Sequence, residues 1–179
     1  VGDAPWSEFG SSTGTIADWD GDGIQNLLVG SPGAGGEAGK AQVFNLSGLS
    51  DEVVAADVAS ATYSGADGRL GHAVHAPGDI DGDGNHDIVL GAPAADDVGV
   101  LAGAAYIYWG TGESGTHAPD ASIEAVAPMA AVGVSLEATA GAGSDTVQSL
   151  LIGGYGADPD DGGDAEDETG AIWLFGFSD

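Results

Sequence analysis

The chain has 179 residues, of which 29 are acidic and only two, Lys40 and Arg69, are basic, for a formal net charge of −27. That balance excludes nucleic-acid binding, which needs a basic footprint, and opposes approach to an anionic membrane surface; no stretch reads as a membrane span. With no cysteine there is no disulfide framework, and self-repulsion of this size destabilises a compact state unless salt or bound cations neutralise it.

Short β-branched and aromatic segments, bounded by Gly, Pro and Asp clusters, read as strands, and no helix of useful length is predicted. In the first third of the chain, strands are predicted at 10–16, 26–30, 39–45 and 58–64. The first two are joined by Asp18-Trp19-Asp20-Gly21-Asp22-Gly23-Ile24-Gln25-Asn26. The middle third gives strands at 71–76, 87–91, 103–109 and 121–127, the first two joined by Asp79-Ile80-Asp81-Gly82-Asp83-Gly84-Asn85-His86-Asp87. The last third gives 133–139, 148–153 and 170–175. Eleven strands are thus predicted, in units of four, four and three.

The two nine-residue loops share the pattern D-x-D-G-D-G-x-x-D/N, 61 residues apart. Carboxylates at positions 1, 3 and 5 can converge on one hard cation, while glycines at 4 and 6 permit the tight, partly left-handed wrap; the ion implied is calcium. The expected ligands are Asp79, Asp81, Asp83, the Asn85 backbone carbonyl and Asp87, and likewise Asp18, Asp20, Asp22, the Ile24 carbonyl and Asn26. Asp87 can bind through both oxygens, whereas Asn26 brings one neutral oxygen and is expected to bind more weakly. An EF-hand is excluded, because position 12 is Leu90 or Val29 instead of glutamate. In the third unit only Asp145 keeps a carboxylate, and that loop is expected to be inactive.

The repeat extends beyond the loops. Phe9-Gly10, Leu70-Gly71 and Val132-Gly133 recur at spacings of 61 and 62, as do Gly30-Ser31-Pro32, Gly91-Ala92-Pro93 and Gly153-Gly154-Tyr155. The later glycine-opened strands, at Gly39, Gly103 and Gly170, are spaced by 64 and 67, so length variation falls in one connection per unit and marks one face of an array. Units cover about 6–66, 67–128 and 129–179. Four short strands per unit is the pattern of a β-propeller blade. With the Phe-Gly element, the Gly-Ala-Pro element and the acidic loops, the whole chain resembles the FG-GAP repeats of integrin α-subunit β-propellers and their bacterial or archaeal relatives.

The resemblance implies calcium in the loops between first and second strands on one rim. On the opposite rim, loops 31–38, 92–102 and 154–169 would meet partners. Three blades do not close a ring, so the fold expected is all-β, three antiparallel blades with the last lacking its outermost strand, closed by oligomerisation or by further chain. A head-to-head pair would bring six blades, within the usual range of about four to eight.

The remaining residues point away from catalysis. No serine sits in a nucleophile elbow, and the regularly spaced carboxylates are assigned to calcium. His72 and His75 lie on opposite faces of one strand, and His86 and His117 are loop residues, so structural or solvent-exposed roles are expected. Tyr106, Tyr108, Trp109, Trp173 and Phe175 are expected to pack between blades, and Trp19 to be a blade or subunit contact. The acidic run from Asp158 to Glu168 reads as a solvated loop, with a further cation as the alternative. The function expected is a non-enzymatic, calcium-binding module for adhesion or assembly, extracellular or at the cell surface, with a protein partner or a second copy. The alternatives are a glycan-binding module, or the non-catalytic part of a larger secreted hydrolase or lyase.

Overall fold

The computed structural model describes residues 2, 4–47, 55–64, 67–97, 99–125, 128–140, 147–156 and 170–177. They form three sheets that lie side by side in chain order without closing a ring. The first contains β1 (Thr13–Ile16), β2 (Asn26–Ser31), β3 (Lys40–Asn45) and β4 (Ala61–Tyr63), in that order and antiparallel. The second contains β5 (Ala73–Gly78), β6 (Asp87–Ala92), β7 (Ala104–Tyr108) and β9 (Ala121–Glu124), and the third β10 (Ser135–Ala140), β11 (Val147–Gly154) and β12 (Ala171–Gly176). All eleven expected strands are present, in three blade-like units with the last one short.

Two features depart from the sequence reading. A twelfth strand, β8 (Gly115–His117), lies in the connection between β7 and β9 and pairs parallel with β4, Thr62 opposite Thr116. It covers an edge that would otherwise present unpaired backbone groups. A left-handed turn, α1 (Ala34–Glu37), with Gly35, Gly36 and Glu37 at φ 64, 76 and 83°, and a single-turn helix, α2 (Ala55–Val58), also occur, the second taking the start of the fourth predicted strand. Both are too short to show hydrophobic periodicity. Trp19, expected as a blade or subunit contact, is 6 % exposed and lies in the core layer between the first and second blades, with Tyr63 and Tyr108, so it is the blade contact.

The recurring glycines explain how blades start and meet. Gly10, Gly71 and Gly133 have φ of 87, 84 and 91°, in the left-handed region that glycine enters without steric cost. Each donates its N–H to the second-strand glycine of its own blade, Gly30, Gly91 or Gly153, at 2.9–3.0 Å. Between blades, a Cβ on Gly30 would lie 2.0 Å from the Gly71 carbonyl oxygen, and one on Gly91 1.9 Å from that of Gly133. The backbones approach so closely that only hydrogen fits at these positions.

Strand alternation then separates the faces. Leu28 and Val43 of the first blade meet Leu90 and Tyr106 of the second, whereas Val89 and Ile107 turn the other way against Leu150 and Ile152 of the third. Each such fully buried aliphatic side chain contributes about 1.5–3 kcal/mol. As expected, Tyr106 and Tyr108 are buried between blades, and Trp109, Trp173 and Phe175 pack against the second core layer. Tyr63 and Tyr108 cross edge to face, 5.1 Å apart, and burial pushes their hydroxyls up, that of Tyr63 to about 12.

The histidines have local roles. His117 stacks on Tyr63, its ring 5.1 Å away, and His72 is exposed. His75 is held below its ordinary pKa by burial, with Glu137 at 3.7 Å pulling the other way. A histidine shifted down takes its proton more readily in the unfolded chain. Its contribution to stability is therefore complete above the unfolded value of about 6.5 and is lost as pH falls below it. His75→Gln is expected to flatten that acid-side loss. The check is the difference between wild-type and variant urea midpoints across this pH range; identical pH profiles would refute it.

Candidate metal centre

The loop between β5 and β6 wraps around Asp79. Its carboxylate accepts the backbone N–H groups of Gly82 at 2.6 Å, Asp83 at 3.1 Å and Gly84 at 2.9 Å. The wrap needs Gly82 and Gly84 at φ 81 and 92°, as the spacing of the glycines predicts. Asp81 accepts the Asp83 N–H at 3.1 Å. The loop ends on Asp87, the first residue of β6, which is fully buried. One of its oxygens accepts the Ile80 N–H at 2.6 Å, and the other the Gly110 N–H at 2.8 Å, from just beyond β7. Asp87 thus ties the start of the loop, its end and the third strand together.

Asp79, Asp81 and Asp87 place one carboxylate oxygen each within 4.8 Å of one another. Asp83, expected with them, is turned aside: its carboxylate accepts the Asn85 N–H at 2.7 Å and side-chain amide at 3.0 Å. Those bonds hold it below its ordinary pKa. Asp87 is pushed above the usual carboxylate value, first by burial and further by Asp81 and Asp79, against the lowering effect of its two backbone bonds. The described ion pairs of Arg69, with Glu8 and Glu37, and of His75 lie away from this loop.

In the first loop, between β1 and β2, the converging oxygens are those of Asp18, Asp20 and Asp22, again within 4.8 Å of one another. Gly21 and Gly23 take φ of 75 and 84°, and Asp22 accepts the Ile24 N–H at 2.8 Å, as Asp83 does from Asn85. Asn26 occupies the place of Asp87: its oxygen accepts the Trp19 N–H at 3.0 Å, while its side-chain N–H group is buried without a partner among the described residues. Where Asp87 has a second acceptor, Asn26 has a donor, so half of the tie is missing.

Sequence reasoning missed Asn45. It stands opposite Asn26 at the end of β3, and its side-chain amide donates to Asp20 at 2.7 Å and Asp22 at 2.6 Å. Nothing in the loop pattern signals this contact, because it depends on the strand register. Gly110 was missed for the same reason. Asp145 and the 158–168 run lie outside the described residues.

Three carboxylate oxygens this close together could hold a hard divalent cation, though exposed acidic groups also cluster in this way without one. Ligands on opposite sides of calcium, at about 2.3–2.6 Å each, stand about 4.6–5.2 Å apart. Residues 71–108, from the start of the second blade through this loop to the end of β7, match the family model described as the FG-GAP repeat.

Proposed function

We propose that this chain, which carries an FG-GAP repeat, is a calcium-stabilised, non-enzymatic propeller module for adhesion or assembly, working outside the cell or at its surface. The observation that carries the reading is the convergence of three carboxylates at the same place in two successive blades. FG-GAP repeat proteins are typically extracellular, where calcium is abundant, and no described helix is long and apolar enough to cross a membrane.

Asp79, Asp81 and Asp87 would hold the ion in the second blade, with Asp83 available after release from Asn85. Asp18, Asp20 and Asp22 would hold it in the first. When bound, calcium supplies the positive charge that these crowded carboxylates lack. Asp87 then fixes the spacing between β5, β6 and the end of β7, since its oxygens bond both sides of the loop. The loops at the other end of the second strands carry the partner-facing surface. There Val100, Leu101, Met129 and Tyr155 are exposed, and Met129 bonds Val100 across the second and third blades at 2.9 Å. Apolar side chains gathered on one rim of so acidic a chain suit a protein partner.

Melting the chain in chelator and in rising calcium tests the reading. Each occupied site is expected to add about 2.7 kcal/mol at a hundredfold excess over Kd, and a melting temperature indifferent to calcium would refute it. Asn26→Asp is expected to lower stability in chelator, by burying an unbalanced charge, and to tighten the first site about tenfold in calcium, by completing its ligand charge. Calorimetric titration checks this, and equal calcium affinities would count against the first site.

A further inference from the structure

Two blade junctions within the chain define what a blade face requires, and the two ends of the array treat that requirement differently. At both junctions the later-facing side of a blade presents a buried aliphatic residue and a bare glycine on the second strand, Leu28 with Gly30 and Val89 with Gly91. The third blade repeats this face with Leu151 and Gly153. The three atoms nearest a Cβ on Gly153 all belong to its own blade's Ser135, at 2.3–3.9 Å. Ile172 and Leu174 of β12, on the same face, are 73 and 66 % exposed.

The opposite end is covered. The earlier-facing side of the first blade carries Val29 and Phe44, in the places that Leu90 and Tyr108 hold in the second blade against its predecessor. They are only 3 and 5 % exposed. What covers them is α2, through Ala55, Val58 and the adjoining Ala59, with Phe9 edge-on to Phe44 at 5.9 Å. The corresponding connection in the second blade does not fold over its own sheet but adds β8 to β4.

We infer that α2 is a built-in cap, standing where a blade would stand, and that the site it holds on the first blade is the docking site for the open third-blade face of a second copy of this chain. The inference deepens the assembly reading and rests on it. Copies joined head to tail would set Ile172 and Leu174 of one against Val29 and Phe44 of the other, repeating the junction that Leu28 and Leu90 make within the chain. The cap prevails in a single copy because it is tethered, at an effective concentration on the order of millimolar, above that of a free second copy.

The test is light scattering over a range of concentrations, in calcium and in chelator, on the wild-type chain, on Ala55→Asp/Val58→Asp, and on that variant combined with Ile172→Asp/Leu174→Asp. Wild type is expected to remain monomeric, the uncapped variant to reach twice that mass, and the combined variant to return to monomer. An uncapped variant with the wild-type circular dichroism spectrum and monomeric mass would overturn the inference. So would an assembly indifferent to the changes at 172 and 174. Val58→Ser, at a half-buried position, is read by the same outcomes if the charged pair does not fold. Calorimetric calcium titration of the same samples separates the two readings: assembly on uncapping without calcium binding would remove the calcium proposal and leave this one standing.

Discussion

Asp87→Ala is expected to destabilise the chain by about 2–3 kcal/mol in chelator as well as in calcium. Its two oxygens accept the Ile80 and Gly110 N–H groups at 2.6 and 2.8 Å from a fully buried position. Truncation strands two backbone donors, each costing about 1–3 kcal/mol when left unpaired in the interior. Removing a carboxylate whose pKa is pushed up by burial and by Asp81 and Asp79 returns part of that loss. Asp81→Ala is the contrasting case. Asp81 is exposed and accepts a single backbone bond, from Asp83 at 3.1 Å. Its loss is expected to change stability by less than about 0.5 kcal/mol in chelator and to abolish the increment that calcium adds at the second-blade site, leaving that of the first blade. Urea unfolding of both variants, with and without calcium, distinguishes a structural anchor from an ion ligand. Equal effects in chelator would mean that the buried bonds of Asp87 do not hold the loop.

Gly91→Ala should be among the most damaging single changes in the chain, at about 3 kcal/mol or more. The added methyl would sit 1.9 Å from the Gly133 carbonyl oxygen and 2.8 Å from its carbon. Both are backbone atoms of the next blade, so relief requires two sheets to separate, and overpacking of a tight core costs about 1–3 kcal/mol even where side chains can shift. Gly30→Ala meets the Gly71 carbonyl at 2.0 Å and carries the same expectation. Gly153→Ala is the internal control, because its methyl meets the Ser135 hydroxyl at 2.3 Å, a side chain that can rotate away. A cost below about 1 kcal/mol is expected there. If denaturant midpoints fall equally for Gly91→Ala and Gly153→Ala, blade-to-blade contact is not what selects glycine at these positions.

Where physics acts over a few residues, the sequence was legible. The alternation of Asp and Gly in residues 79–87 led to the left-handed glycines and the wrap around Asp79 that the structure contains. The 61-residue recurrence led to three successive sheets with the last one strand short. Contacts between residues far apart in the chain were not legible. Asn45 reaches Asp20 and Asp22 through the register of β2 and β3, and the Gly110 N–H reaches Asp87 from beyond β7. Trp19, in a polar loop, is buried in a core layer shared with Tyr108 of the neighbouring blade, which decides between the two contacts expected of it.

By itself, then, the sequence determined the strands, the turns, the spacing of the carboxylates and the number of blades. Each follows from backbone sterics and short-range hydrogen bonding within one repeat. The tertiary structure alone decided that Asn45 and Gly110 reach the acidic loops, that β8 joins the preceding blade, and that α2 closes one end of the array while Leu151, Ile172 and Leu174 leave the other open. Those outcomes depend on which faces come together, and packing energy between residues far apart in the chain has no local signature from which to be read.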